Sequence, residues 1–584
     1  MSDTHTREWV EIPDGEVGDA VIAALERGGV EYLFFTSGSE IGFFQEAIAK
    51  AKAQGRNKVP RLITVTHEHA SLNAALGYAA VSGKVAATAA HVDVGTQHYG
   101  GAVHTAWHSG LPVLITAGAP PTSHPGTIRG ARDGGGHIWM QQSYDQHGIV
   151  RQYTKWDHRL ECQDNPGLIV SRALQVAQTE PKGPVYISFP REVALMKCLD
   201  GRFPTADQLG IVRPAAPDPG GINELAKRLV RARNPMIVAG RSGRNPRTVP
   251  ALVHFCELLG IPVVDGLPRA YLCFPMTHPL YLGSASLKDA DVVLVLEADV
   301  PWMPGPAAPP DNAYVAVVDV DAAKARIPTF EFTADLRLTA DALTTIGALE
   351  AAVRPLMTSG DRSRFVERGA LWRDHTEKTR ASRERVVKAL ADNNPIDPRF
   401  LHREIGRTLG DGCIVFDETI TRDPLCDYLR CDRPGSYFYL PASAGGWSPG
   451  AAFGAKLAAP DRDVVSITGD GFYMFAAANA ALWSAAHYRA PFMSIVYQNR
   501  SYSTGVLRVE NVFPGGHAAQ AGFDGGYFDP PIDFAKEAEA AGAYGENVRE
   551  PGEIVPAISR GLSHIRAGRP AVISVWLPRL LQKD

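Results

Sequence analysis

Hydrophobic positions along the chain cluster into short, β-branched runs, set apart by longer amphipathic or alanine-rich stretches. Runs that are apolar on both faces predict strands buried inside parallel sheets, and the stretches between them predict the crossover helices such sheets require. In a first block, from about Val17 to Pro190, the runs are Glu31–Phe35, Arg61–Thr66, Val85–Ala90, Val113–Ala117 and Val185–Phe189. A second block carries Met236–Ala239, Pro262–Asp265, Val292–Glu297 and Val315–Val320. A third carries Cys413–Asp417, Ser436–Leu440, Val464–Thr468, Phe492–Tyr497 and Ala571–Trp576. The Pro-, Gly- and Asp-rich segment Asp200–Gly221 reads as a linker between the first two blocks, and a charged helix over Gly360–Ala391 leads into the third. The pattern predicts an α/β chain of three doubly wound parallel-sheet domains, over residues 1–195, 215–350 and 395–584, the middle one Rossmann-like. The first and third blocks are similar in size, which points to a duplicated architecture without a repeat in the sequence.

Composition narrows the function classes. A chain of 584 residues is too long for one core. Its 59 basic and 63 acidic residues nearly balance, and no basic run would track a nucleic-acid backbone, so neither nucleic acid nor a membrane surface is an expected partner. Seven cysteines without a CxxC pair suit a reducing compartment. The N-terminus, Met1-Ser2-Asp3-Thr4-His5, is polar, and no apolar run approaches the roughly 18 residues of a membrane span. The expected location is cytoplasmic.

One stretch, Ser466-Ile467-Thr468-Gly469-Asp470-Gly471, changes the picture most. A buried strand ends in Gly-Asp-Gly, and the apolar segment Phe472–Ala486 that follows reads as one helix. Gly469 and Gly471 let the backbone approach a phosphate, the helix N-terminus offers free N–H groups, and Asp470 supplies a hard oxygen for Mg²⁺. The next strand delivers Asn499 to the same sheet edge, with a backbone carbonyl near Ser501 as a third ligand. In the first block Glu68 follows the second strand and opens an alanine-rich helix, Ser71–Val81. Ligands bind at this edge of a parallel sheet, although a first-turn carboxylate also suits the helix dipole. His91 stands just beyond Val85–Ala90 as a candidate acid or base. Its neighbours His98, His104 and His108 lack metal-ligand spacing. Ser39 closes the first strand, as a substrate partner or a helix cap, and His278 lies in a loop of the second block. Two motifs are discounted. Gly240-Arg241-Ser242-Gly243 lacks a full dinucleotide fingerprint, and Gly446-Trp447-Ser448-Pro449-Gly450 matches GxSxG but follows a small-residue loop instead of a strand.

Taken together, these residues resemble the thiamine-diphosphate enzymes of the pyruvate decarboxylase and acetolactate synthase group, over nearly the whole chain. Local patterns are most similar to the benzoylformate decarboxylase branch at Gly38-Ser39-Glu40, at His91 with Gly95-Thr96, at Ala106-Trp107-His108-Ser109 and at Ala481-Leu482-Trp483-Ser484-Ala485-Ala486. The resemblance implies PYR, central and PP domains in that order, thiamine diphosphate and Mg²⁺ as cofactors, and a homotetramer with each active site at a dimer interface. Glu68 of one subunit would meet the cofactor held by Gly469, Asp470, Gly471, Asn499 and Ser501 of another, and would promote loss of the thiazolium C2 proton to give the ylide. Ser39 would bind a substrate carboxylate, and His91 and His278 would move protons. Thr419 and Thr421 would donate hydroxyls to the diphosphate, and Trp447 would stand where the family carries a hydrophobic wedge under the cofactor. The implied reaction is nonoxidative decarboxylation of a 2-oxo acid, aromatic or bulky. An acetolactate-synthase-like carboligase or a 2-hydroxyacyl-CoA lyase stays open as the alternative. Asp470 and Asn499 are 29 positions apart, longer than the family pattern, which places an insertion in or before the intervening helix.

Overall fold

A computed structural model describes residues 9–581; the polar Met1–His5 start and the final tail residues to Asp584 lie outside the described residues. Three parallel sheets carry the chain. The first consists of β1 (Tyr32–Phe35), β2 (Arg61–Thr64), β3 (Ala86–Ala90), β4 (Val113–Ala119), β5 (Asp157–Arg159) and β6 (Pro184–Pro190), in the order β2-β1-β3-β4-β6-β5. The second consists of β7 (Pro235–Ala239), β8 (Val263–Asp265), β9 (Val292–Leu296), β10 (Tyr314–Asp319) and β11 (Leu336–Thr339), in the order β8-β7-β9-β10-β11. The third consists of β12 (Ile414–Glu418), β13 (Tyr437–Tyr439), β14 (Val464–Gly469), β15 (Met493–Gln498), β16 (Tyr544–Val548) and β17 (Ala571–Trp576), in the order β13-β12-β14-β15-β17-β16. The first and third sheets share one winding order, so the duplicated architecture is present in the topology. In each, the order reverses between the first and third strands, and the crevice beyond the carboxyl ends of those strands is where such folds bind ligands.

The inner strands were legible because both faces are covered: β3, β4, β6 and β9 are buried at every position. The edge strands β5, β11 and β16 lack that pattern, and pairing with a neighbour is what makes them strands. The linker is structured in part. Its Arg202–Phe203 pairs antiparallel with Val10–Glu11, and Ala206–Leu209 forms a capped helical turn.

Helices α1 (Glu68–Ser82), α2 (Val92–Tyr99) and α4 (Ser448–Ala458) position the site, and α3 (Ser359–Lys388) leads from the second domain into the third. Although α3 is the longest helix, it is strongly polar, and no helix among the described residues is long and apolar enough to cross a membrane. α1 and α4 join the first and third domains. One apolar cluster runs continuously from Phe34 and Tyr78 of the first to Phe416, Phe453 and Trp447 of the third. Backbones approach closely here: a Cβ on Gly77 would lie 1.9 Å from the carbonyl oxygen of Ala451, and one on Gly454 would lie 1.8 Å from that of Ala74. Neither obstacle is a side chain that can swing away. Gly454→Val is therefore expected to destabilise by at least about 3 kcal/mol, the upper end of ordinary overpacking. Urea unfolding reads this directly, and an unchanged midpoint would contradict the close helix contact.

Candidate active site

In the third domain, β14 ends at Gly469, and α5 (Asp470–Phe475) starts at once with Asp470 in its first turn. The Asp470 carboxylate accepts the N–H of Gly471 at 2.8 Å and the N–H of Arg500 at 2.6 Å, which ties the end of β14 to the loop after β15. Arg500 takes a left-handed backbone, with φ of 59°, an uncommon conformation for a side chain this large. Its guanidinium lies over Trp576 and donates to the carbonyl of Leu577, so its charge is directed along β17. Asn499 Oδ1 accepts from the N–H and the hydroxyl of Ser501, at 2.9 and 2.8 Å. Burial leaves Asp470 2% exposed and pushes its carboxyl up to about 7, against the pull of the Arg500 and Gly471 N–H groups. A divalent cation would supply the missing charge.

The donor set fits that role. Asp470, Asn499 and Ser501 offer hard oxygens with only one carboxylate among them, and no cluster of three or more His, Cys, Asp or Glu side chains among the described residues would hold a metal unaided. Mg²⁺ bound jointly with phosphate oxygens and water requires no more than this. Open space beside Gly469, where a Cβ would meet nothing within 4 Å, leaves room for the phosphate.

Under this clamp lies a residue the sequence reading passed over. Glu418, the last residue of β12, is buried without a cation. Its Oε1 accepts the N–H groups of Gly446 and Trp447, at 2.7 and 2.8 Å, and its Oε2 accepts the N–H and hydroxyl of Ser448, at 3.1 and 2.9 Å. Burial raises its pKa, and these donors oppose the rise. The carboxylate thus pins the loop before α4 to the sheet edge. Because the loop is held this way, Trp447 presents its backbone to the site, while its indole is 2% exposed in the core, edge-on to Phe416 at 5.2 Å. The wedge expected at Trp447 is therefore not offered by its ring. Beside the loop, Phe472 covers Gly445, where a Cβ would lie 2.3 Å from the Phe472 ring. Nor do the hydroxyls of Thr419 and Thr421 point to a free acceptor. Thr419 donates to Asp417 at 2.7 Å and Thr421 to the carbonyl of Asp423 at 2.7 Å, which leaves backbone groups as this turn's contribution to a ligand.

The expected helix Phe472–Ala486 is broken. α5 stops at Phe475, Ala477 takes φ of 47°, and α6 (Ala478–His487) starts afresh. Gly446 presses on the break, where a Cβ would lie 2.6 Å from the backbone nitrogen of Ala476. The long spacing between Asp470 and Asn499 includes this turn.

In the first domain, Glu68 opens α1 at the end of β2, buried, with His98 Nδ1 at 3.4 Å from its Oε2. His91 caps α2 at the end of β3, and one turn of α2 separates the two sites. Gly95 donates to the carbonyl of His91 at 2.8 Å, and a Cβ on Gly95 would lie 3.1 Å from Glu68 Oε1. Across the crevice, after β1, sits the second residue the sequence reading did not single out. Glu40 has a fully buried side chain, with its Oε2 2.9 Å from His91 Nδ1 and accepting the Ser39 hydroxyl at 2.7 Å. Gln141 donates to its Oε1 at 3.1 Å. His91 Nδ1 is buried against this carboxylate, and the contact becomes an ion pair when the ring is protonated. Burial favours a neutral Glu40, but His91 and Ser39 override it and hold the carboxyl at about 2; the same Glu40 contact raises His91. No local sequence signal marks Glu40 as buried, because Gln141 and the β4 backbone at Gly118 come from distant segments.

His278 is not part of this group within one chain. Its ring nitrogens engage Glu257 at 3.3 Å and the Leu280 N–H at 3.1 Å, and its ring packs edge-on to Phe274, all in the second domain. Among the described residues, the close contacts of Glu68 are with His98 and Gly95 in the first domain, and those of Asp470 with Gly471 and Arg500 in the third.

Three family descriptions match along the chain: thiamine pyrophosphate enzyme, N-terminal TPP binding domain, over residues 15–149; its central domain, over 222–362; and its C-terminal TPP binding domain, over 424–575. The chain belongs to the thiamine pyrophosphate enzyme family. It is an enzyme of that family, and thiamine diphosphate is its cofactor. The chain is 29% identical to a benzoylformate decarboxylase of Pseudomonas aeruginosa over 536 residues, covering 88% of this chain and 91% of that one. It is 26% identical to a probable acetolactate synthase large subunit of Methanococcus aeolicus, covering 93% and 90%. Its fold matches the thiamine diphosphate-dependent 4-hydroxybenzoylformate decarboxylase of Rhodococcus jostii RHA1 with a TM-score of 0.76, at 23% identity, over 97% of this chain and 100% of that one. The first sheet edge bears Glu68, and the third bears Gly469, Asp470, Gly471 and Asn499.

Proposed function

We propose that this enzyme is a Mg²⁺-dependent C–C lyase that decarboxylates a 2-oxo acid without oxidation, with an aromatic or bulky substrate and with ligation of the product aldehyde as a side capacity. The observation that carries this reading is the pairing of Glu68 with a charged Glu40–His91 couple at the neighbouring strand end, one helical turn away. A cofactor-activating carboxylate needs no such couple, whereas an anionic substrate that loses carbon dioxide and takes up a proton does. Bound thiamine diphosphate supplies the carbon nucleophile and the electron sink. Asp470, Asn499 and Ser501 hold the metal and diphosphate, Gly469 and Gly471 admit them, and Glu68 handles the proton of the aminopyrimidine. Among the described residues the close contacts of Glu68 stay in the first domain and those of Asp470 in the third, which supports an active site assembled from two subunits; we read the enzyme as a cytoplasmic homotetramer. The experiment that tests the reading is a panel of 2-oxo acids and 2-hydroxyacyl-CoA esters with product identification. Release of aldehyde from an arylglyoxylate supports it, and turnover of CoA esters alone defeats it.

A flavin-bearing, acetolactate-synthase-like enzyme makes a different use of the second domain. Here the crevice at the reversal point of the second sheet is crossed by ion pairs: Arg241 to Asp299 at 2.7 Å, Lys324 to Asp299 at 2.9 Å and to Asp319, and Arg244 to Glu180 at 2.7 Å. A dinucleotide would have to displace these buried pairs and leave their charges unpaired, which costs several kcal/mol. The purified protein is therefore expected to show no flavin absorbance, and a stoichiometric flavin spectrum would favour the carboligase.

A further inference from the structure

We propose that Glu40 is the positioning residue of the site: it holds His91 as a cation with its outer ring edge presented to the crevice, so that His91, and not Ser39, receives the carboxylate of the substrate. The inference rests on the reading of the substrate as a 2-oxo acid anion.

The geometry separates the roles of the two residues first assigned to the substrate. The Ser39 hydroxyl has one proton, and it goes to Glu40 Oε2 at 2.7 Å. What remains on Ser39 is lone pairs, and a carboxylate is an acceptor only, so Ser39 cannot serve it while that bond stands. His91 has the opposite arrangement. Its Nδ1 is sealed from solvent against Glu40, yet the side chain as a whole is 23% exposed, which leaves the exposure to the rest of the side chain. The ring is also fixed in place. Gly38 lets it close over the end of β1, since a Cβ there would lie 2.5 Å from His91 Cβ and Nδ1. A buried carboxylate behind one nitrogen, with the other nitrogen facing the reactant, is how imidazoles are oriented for chemistry.

Charges around the pair are few. Besides Glu40 and His91 they are Asp93 on α2, which also favours a protonated His91, and Arg191 beyond β6, with Nη1 4.0 Å from Glu40 Oε1. Neutral Gln141 completes the ring of neighbours. Because Glu40 raises His91 above its ordinary value, the cation persists to higher pH than on a free histidine and is lost as pH rises through the raised pKa. Without Glu40, the burial that opposes protonation is left less opposed, and the cation is lost earlier.

The test is Glu40→Gln, which keeps the shape and removes the charge. In the holoenzyme the alkaline limb of kcat/KM for the 2-oxo acid is expected to move to lower pH by about one unit or more, the usual effect of one close opposite charge. At the alkaline end KM should rise more than kcat falls. A packing role for Glu40 would lower stability without moving the limb, and a limb that stays in place in folded Glu40→Gln overturns the proposal. If the variant does not accumulate as folded protein, the wild-type holoenzyme decides. Its His91 ring ¹⁵N signals, assigned by their loss in His91→Asn, should titrate above the ordinary histidine value, and titration at or below that value overturns the proposal. A high value combined with no turnover of any 2-oxo acid upholds the Glu40–His91 pair and overturns the substrate reading alone.

Discussion

Glu68→Gln is expected to keep its fold and its cofactor while kcat falls by about 10²–10⁴-fold, the range for loss of a positioned acid–base group. Glutamine preserves the volume and a hydrogen-bonding oxygen at the start of α1. What it removes is the ability to take and return a proton, and the negative charge at the helix N-terminus. The second loss costs only about 0.3–1 kcal/mol of stability. Nothing else in the neighbourhood replaces the carboxylate: His98, at 3.4 Å, is largely exposed, and the other close approach is the backbone turn at Gly95. The measurements that check this are steady-state turnover of the 2-oxo acid and calorimetric titration of thiamine diphosphate with Mg²⁺. Unchanged turnover would remove Glu68 from the chemistry. Lost cofactor affinity with lost turnover would make it a binding residue instead.

Asp470→Ala should abolish Mg²⁺-dependent cofactor binding. Asp470 is buried, the pull of Arg500 does not offset that burial, and folding holds its carboxyl at about 7, above the ordinary aspartate value of 3.8. The sign of the linkage follows. A raised carboxyl pKa means that the folded state binds more protons, so stability falls as pH rises from the ordinary value through about 7. Removal of the carboxylate relieves that cost but leaves the N–H groups of Gly471 and Arg500 unpaired, so the variant's cofactor-free stability should fall less than that of the wild type as pH rises through about 7. Ligand linkage acts in the other direction. At 100 times the dissociation constant, cofactor and metal should stabilise the wild type by about 2.7 kcal/mol, and that gain should vanish in the variant. Thermal unfolding with and without Mg²⁺ and thiamine diphosphate reads both effects. A variant still stabilised by the metal-cofactor pair to the wild-type extent would defeat the clamp.

Much of this was legible in the residues because the decisive groups sit next to strand ends, and strand ends are marked by where apolar runs stop. β17 was readable at both ends, Ala571 and Trp576, because neighbours cover both faces. The polar strand β5 was not, because it pairs on one side only, with β6, and its residues belong to no apolar run. The expectation at Asp470 and Asn499 came from glycine, a hard oxygen and strand spacing, and both stand at strand ends. Glu418 and Glu40 carried no such mark, although each is buried and accepts hydrogen bonds. A buried acid leaves no trace in the local pattern when its donors come from Gly446, Trp447 and Ser448, or from His91 and Gln141, far along the chain.

The sequence alone determined the three α/β blocks, the family resemblance, and the residues whose chemistry is intrinsic: a carboxylate after β2, and Gly-Asp-Gly with a following asparagine. These depend on residue type and on periodicity, which are local. Tertiary structure decided direction. Trp447 turned its indole into the core because Glu418 fixed its backbone, the helix after Asp470 broke where Gly446 pressed on it, and His278 joined a second-domain pair. Ser39 gave its proton to Glu40. A side chain's partner is set by which distant segments meet it in space, and no local pattern encodes that.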